Sequence, residues 1–350
     1  MNCGIIMVTD KVIVRFFSRS IHCAQLFTGI SLLAKRSAVR CCFENHINDP
    51  QYPFKTAIAE IIYKGKVLTF DMLDGYNNLE AIKWYYSHSD FYFKRSFSTE
   101  KNNLIGFDTN KIFPWGFNYH VSYIGNPCEG PVKAALKDFA KVCLRKETNG
   151  YYTKSVFEEY PLYKKDGIRI LFYTRLWPQE NTLSDDLNEE RERINNQRII
   201  LIRNLQRLFG ESFHGGLEQS TLATQLAPDL CLGPEMTRRK NYLSLMHQCD
   251  ICVATTGLHN SIGWKMGEYV AAAKGIVSEP LNYIVPGIFE RGLNYLEFSS
   301  LDNCVASIQA LYENPQQLYE MKLRNYHYYQ SYLEPSRMVE NCLRFVDQHL

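Results

Sequence analysis

Short apolar runs alternate with longer amphipathic stretches through the second half of this chain. Residues 167–173, apolar apart from Arg169, read as a buried strand, 186–208 reads as a long, charge-rich helix, and 212–217 as a short strand. A helix opens near Arg238 and continues through 242–247. Strands follow at 251–255, 275–278 and 294–298, with helices at 261–273 and 302–313. Parallel strands need crossovers, and helices supply them, so this order predicts an open, doubly wound sheet of Rossmann type. Ligands of such sheets lie at the carboxyl ends of the strands.

The first half alternates less regularly. Strands are expected at 11–16, 39–43 and 91–94, and helices at 21–34 and 131–145. Residues 57–63 and 67–70 flank Lys64-Gly65-Lys66, the signature of a hairpin with a tight glycine turn. The polar, Tyr-rich stretch 146–166 reads as a linker. Near the end, Pro335 stops a helix spanning 315–333. Beyond it Met338, Val339, Cys342, Leu343 and Val346 fall at helical spacing, which predicts a last helix with one buried face and Ser336 as its N-cap. The division is therefore an α/β domain over 1–160, a second over 161–334, and a terminal segment 335–350.

Composition narrows the function classes. With 350 residues, 45% of them hydrophobic, the chain is long enough for two cores. A net charge of +2, with no long basic run, argues against a nucleic-acid partner. Eleven irregularly spaced cysteines point to a reducing compartment, and Cys249-Asp250-Ile251-Cys252, a lone CxxC running into a strand, reads as buried thiols. No secretory pattern opens the chain and no window of about 18–20 apolar residues suggests a transmembrane span. The expectation is a cytoplasmic protein, with peripheral membrane contact left open.

The densest chemistry lies between Cys252 and Val277. A strand delivers the chain to Thr255, Thr256 and Gly257, a small-residue loop followed by a helix, where free amide hydrogens and the helix dipole favour an anion such as a diphosphate. Ile262, Met266, Tyr269, Val270 and Ala273 share the packing face of that helix, and Glu268 falls off it, where a carboxylate can accept two hydrogen bonds from vicinal hydroxyls. His259 adjoins the loop. Arg238, Arg239 and Lys240 open a helix against its dipole, which suggests a ligand or an acidic partner. No G-x-G-x-x-G follows any expected strand, which disfavours a dinucleotide oxidoreductase.

Glu268-Tyr269-Val270-Ala271-Ala272-Ala273-Lys274-Gly275-Ile276-Val277 resembles the E-Y-[LV]-A-x-G-K-x-[IV]-V segment of the nucleotide-sugar glycosyltransferases with the GT-B fold, the group 1-like enzymes. The resemblance extends over about 167–315 and includes Gly292-Leu293-Asn294-Tyr295-Leu296. It implies two Rossmann-like domains facing a cleft, the nucleotide sugar on the C-terminal one, and a terminal helix crossing back to the N-terminal one. It also implies that Glu268 binds the ribose and that Arg175, ending the first strand of the C-terminal domain, binds the diphosphate. Two positions depart from the pattern. Ala273 stands where the family has Gly, and Asn260 stands where retaining members carry a Glu eight residues before the ribose Glu, so the stereochemical outcome stays open.

The implied activity is transfer of a hexose or related unit from a nucleoside-diphosphate sugar to a saccharide or lipid-linked acceptor, as in polysaccharide biosynthesis. The chain has no D-x-D triad, so neither a metal nor any cofactor besides the donor substrate is expected. The catalytic base is expected from the N-terminal domain, across the cleft: His22, after an early strand, or Asp71 and Asp74, which open a Gly-containing turn. Phe93-Lys94-Arg95-Ser96 ends another strand with two cations that could receive a phosphate or an acidic acceptor. A nucleotide-sugar epimerase or hydrolase of the same architecture and a non-catalytic scaffold are the alternatives.

Overall fold

The computed structural model describes residues 10–129, 140, 152–181 and 183–350. The residues at 1–9, the expected helix at 131–145 apart from Ala140, and the start of the expected linker lie outside the described residues.

The N-terminal sheet contains β1 (Lys11–Phe16), β2 (Arg40–Asn45), β3 (Ile58–Tyr63), β4 (Lys66–Asp71), β5 (Phe91–Lys94) and β6 (Ile112–Pro114), in the order β2-β1-β3-β4-β5-β6. Only β3 runs antiparallel to its neighbours. It does so because Lys64 and Gly65 turn the chain back on itself with φ of 49° and 77°, the left-handed pair a two-residue hairpin requires. The parallel strands β1, β4 and β5 therefore end on one side, where their loops carry His22, Asp74 and Arg95. The crossover helices Leu79–Ser87 and Thr99–Ile105 and the edge strand β6 are elements that the pattern of this half did not predict.

The C-terminal sheet contains β7 (Ile170–Thr174), β8 (Phe213–Glu218), β9 (Cys231–Leu232), β10 (Ile251–Ala254), β11 (Gly275–Ser278) and β12 (Leu296–Glu297). All its pairings are parallel and the order is β12-β11-β10-β7-β8-β9. This is the Rossmann order, in which the winding reverses between β7 and β10 and leaves a crevice at their carboxyl ends. The helix Asp185–Phe209 crosses from β7 to β8 and buries Ile194, Ile199, Leu201, Ile202 and Leu205 against the sheet. Predicted 294–298 shrinks to Leu296–Glu297, an edge strand paired only to β11.

The helix expected at 261–273 starts later, at Trp264, and ends at Ala271. His259 and Asn260 adopt φ of 61° and 55°, a reversal that continuous helix cannot contain. Ala273 has φ of 49° just past the helix end. That left-handed site is where the resembled motif has its Gly, so alanine here carries a local backbone cost of about 1 kcal/mol.

The helix Pro315–Tyr328 runs on through a π-helical turn, Tyr329–Leu333, and the chain then reverses into Pro335–Asp347. Met338, Val339, Cys342, Leu343 and Val346 are all buried, and the helix lies on the N-terminal domain. Gly29 lies directly against the carbonyl of Pro335 and the side chain of Val339. Phe345 packs edge-on to Phe113 with ring centroids 4.5 Å apart, and Asp347 accepts from Tyr63 at 3.1 Å and Lys64 at 2.7 Å. The N-cap is Glu334 and not Ser336: the carboxylate accepts from Arg337 N at 2.8 Å and from the Ser336 hydroxyl at 2.5 Å. Among the described residues no helix is long and apolar enough to cross a membrane.

Candidate active site in the interdomain cleft

A cavity of about 890 Å³ opens between the two sheets, lined from one side by Ile21, His22, Leu73, Asp74 and Arg95 and from the other by the carboxyl ends of β7 and β10 and the start of the helix Trp264–Ala271. Its size suits a nucleotide-sized ligand, since small-molecule sites commonly run to about 300–1,000 Å³.

Glu268 forms part of the C-terminal wall and is 1% exposed. Arg239 and Tyr242, three positions apart on the helix Arg239–Gln248, both reach it: Arg239 Nη2 donates to Oε1 and the Tyr242 hydroxyl donates to Oε2 at 3.2 Å. Both oxygens of the expected ribose ligand are thus already engaged by the protein, so a ribose must share or displace these donors. Arg239 lies over the rings of Tyr152, Phe157 and Tyr242 at 5.5–5.6 Å. Burial opposes its charge, but the Glu268 carboxylate more than compensates and raises its pKa overall.

Cations gather beside this pair. Arg175, directly after β7, is exposed and rests on the face of Trp177 with its guanidinium carbon 4.0 Å from the ring centroid. Arg198, 6% exposed, donates to the Arg175 carbonyl at 2.6 Å and the Thr256 carbonyl at 3.1 Å, thereby joining the β7 and β10 loops. Burial pulls its pKa down to about 10, and its Nε has no partner among the described residues. Lys265 donates to the Tyr173 carbonyl. Burial lowers its pKa to about 8, with the neighbouring Arg198 and Arg239 acting in the same direction and Glu268 against it. Neither Arg198 nor Lys265 was singled out from sequence. The signal for Arg198 was present, because it continues the buried spacing of Ile194, Ile199 and Ile202; a cation on a packing face needs a partner.

The loop Thr255, Thr256, Gly257 does line the cleft, but it is not an open cradle of amides. Thr256 N and Oγ1 both donate to Glu279 Oε2, at 2.6 and 2.8 Å, and Gly257 N donates to the Ser261 carbonyl at 2.9 Å. His259 also lines the cleft, with its amide on Glu190 at 3.1 Å and its carbonyl accepting from the Tyr283 hydroxyl at 3.1 Å. No side chain caps the helix that starts at Trp264. The uncapped helix start therefore lies after the loop, at Trp264.

On the opposite wall the expected bases separate. His22 and Asp74 line the cleft, whereas Asp71 does not. Asp71 is 0% exposed and fully engaged: Lys94 and the Tyr92 hydroxyl reach Oδ2 at 2.7 and 2.9 Å, and Leu73 N reaches Oδ1 at 2.8 Å. It holds the β4–β5 strand ends together, so its assignment as a base is corrected. Lys94, equally buried, serves that same pair. Arg95 is 6% exposed and bound to Asp74, so the Lys94-Arg95 pair offers no free cation to a phosphate.

Neither a protein-family model nor any curated protein matches this sequence. Among solved structures, the chain is similar to the HepE protein of Anabaena in complex with UDP-glucose, at 11% identity and TM-score 0.48, covering 97% of this chain and 100% of that one. It is similar to a glycosyltransferase from Rickettsia africae, at 11% identity and TM-score 0.46, covering 93% and 81%. It is also similar to the UDP-GlcNAc 2-epimerase of Neisseria meningitidis bound to UDP-GlcNAc, at 13% identity and TM-score 0.37, covering 79% and 68%. An α/β domain with one antiparallel strand and a domain of Rossmann order, facing a cleft and tied by a terminal helix that crosses back, make the GT-B architecture.

Proposed function

We propose that this chain is a glycosyltransferase that binds a nucleoside-diphosphate sugar in the interdomain cleft and passes the sugar to a saccharide or lipid-linked acceptor. The observation that carries this reading is the grouping of Arg175, Arg198 and Lys265, none in an ion pair with a carboxylate among the described residues, around the buried Glu268 at the switch point of the C-terminal sheet. A diphosphate would sit between these cations, which would neutralise the charge developing on the leaving group without a metal. Glu268 and Tyr242 would meet the ribose, with Arg239 shifting toward the phosphates. The acceptor would enter from the side of His22 and Asp74. Arg239 is thus read as part of the ligand site rather than as a contact for an acidic partner.

Calorimetric titration with a panel of nucleoside diphosphates tests the donor site, followed by transfer assays with the corresponding sugars in excess chelator. Binding of at least one diphosphate, weakened about tenfold or more by Arg175→Gln through loss of a charged hydrogen bond, is the expected result. Absence of binding across the panel would refute the assignment. Activity strictly dependent on added divalent metal would refute metal independence alone.

A further inference from the structure

Arg95 connects more of the cleft than any sequence signal suggested. Its Nη1 lies 2.8 Å from Asp74 Oδ1 and 3.4 Å from His22 Nδ1, and its Nη2 donates across the cleft to the Ile262 carbonyl at 2.8 Å. The His22 backbone is fixed apart from Arg95, and its ring has a further neighbour. Asn118 Nδ2 donates to the His22 carbonyl at 2.7 Å, the His22 amide donates to Ser20 Oγ at 3.4 Å, and the ring stands edge-on to Trp264 with centroids 4.9 Å apart.

A guanidinium has only donors. The imidazole nitrogen that faces it must present a lone pair, which in the neutral ring leaves the single proton on Nε2. A second proton, on Nδ1, would set N–H against N–H and place an imidazolium beside an arginine. Geometry and electrostatics agree: burial pulls the His22 pKa below the ordinary value, Arg95 pulls it further, and Asp74 opposes them with the smallest effect.

We propose that Arg95 is a positioning residue that fixes His22 as the neutral, Nε2-protonated imidazole, so that His22 serves the cleft as a hydrogen-bond donor and Asp74 is the proton acceptor. The role of Asp74 rests on the sugar-transfer reading; the state of His22 does not. In that reaction the acceptor hydroxyl gives its proton to the Asp74 carboxylate, and its oxygen forms the new bond to the anomeric carbon. The bond from that carbon to the phosphate oxygen breaks, and its electron pair departs with the nucleoside diphosphate. Asp74 suits the task by placement: one oxygen is ion-paired with Arg95, while 40% of the side chain stays exposed on the cleft wall.

Long-range proton–nitrogen correlation spectra of the full, nitrogen-15-labelled chain read the tautomer directly, with His22 assigned by its loss in His22→Gln. The expected wild-type pattern is an Nε2–H tautomer that persists below the ordinary histidine value of about 6.5. Arg95→Met should release the ring to mixed tautomers and raise its titration, while Arg95→Lys, which keeps the charge but not the fork, should fall between. If Arg95→Met does not fold, the wild-type pattern decides. An Nδ1–H tautomer, or an imidazolium at pH 6.5, would overturn the state assigned to His22. Once a donor and acceptor are found, Asp74→Asn should lower kcat about 100-fold or more with little change in donor affinity. His22→Gln, which retains an N–H donor, should lose less and keep the acid limb of the pH profile. The reverse ranking would overturn the assignment of Asp74, and failure to find any donor would fall on the sugar-transfer reading instead.

Discussion

Arg239 and Tyr242 hold the two oxygens of Glu268 in the C-terminal wall of the cleft, so the carboxylate that the sequence motif marks for a ligand also satisfies a half-buried cation of its own domain. Its two roles can be separated experimentally, because one is a matter of stability and the other of affinity.

Glu268→Ala should destabilise the chain by about 1–3 kcal/mol, since it leaves the half-buried Arg239 charge unpaired beside aromatic rings. Urea unfolding measures this. Adding Arg239→Met should recover most of the loss, because the unpaired charge is removed with its partner. A single variant as stable as wild type would show that the pair does not hold the helices together.

Lys265 is expected to make anion binding sensitive to alkaline pH. With its pKa lowered to about 8 by burial, the ammonium is present below that value and lost as pH rises through it. Affinity for a nucleoside diphosphate, already fully ionised in this range, should therefore fall from pH 8 upward. Lys265→Met should bind more weakly at pH 7 and show a flatter profile, as measured by calorimetry. A wild-type affinity constant to pH 9.5 would exclude the lysine from the site.

His120 is expected to make stability fall in mild acid. Burial, and next Arg239, lower its pKa to about 4, with Glu268 opposing and Glu129 4.0 Å away. The unfolded chain takes up the proton near pH 6.5 and the folded chain only near 4, so stability present above about 6.5 is lost as pH falls between those values. The full span is worth about 3 kcal/mol. His120→Gln should reduce the slope of unfolding free energy against pH across this window; an unchanged slope would contradict the shift.

Gly29 tests the terminal helix. A Cβ there would stand 2.8 Å from both the Pro335 carbonyl carbon and Val339 Cγ2, with backbone on one side and a packed side chain on the other. Gly29→Ala should cost about 1–3 kcal/mol by overpacking. Hydrogen exchange should localise the added opening to Pro335–Asp347 and the facing Ala24–Lys35. A uniform change over the whole chain would mean that the helix is not the element displaced.

The alternation of apolar runs and helical spacing located every strand of the C-terminal sheet except β9, and the stripe from Met338 to Val346 announced a docked terminal helix. Those features are set by local periodicity, which a sequence displays directly. The N-terminal half was less legible: β6 has three residues, and the helices Leu79–Ser87 and Thr99–Ile105 are too short to develop a clear period.

By itself the sequence determined the doubly wound order, the hairpin at Lys64-Gly65 and the candidacy of Glu268 and Arg175, because each depends on neighbours within a few residues or on a contiguous motif. Only the tertiary structure decided which polar groups remain available to a ligand. Asp71 and Asp74 are three positions apart on one turn, yet the first is sealed by Lys94 and Tyr92 from β5, and the second reaches the cleft with Arg95. Thr256 and Gly257 look like free amides until Glu279 and Ser261 fold onto them. A buried polar group must find a partner, and that partner usually comes from a distant strand or loop, so its availability is fixed by long-range packing that no local pattern encodes.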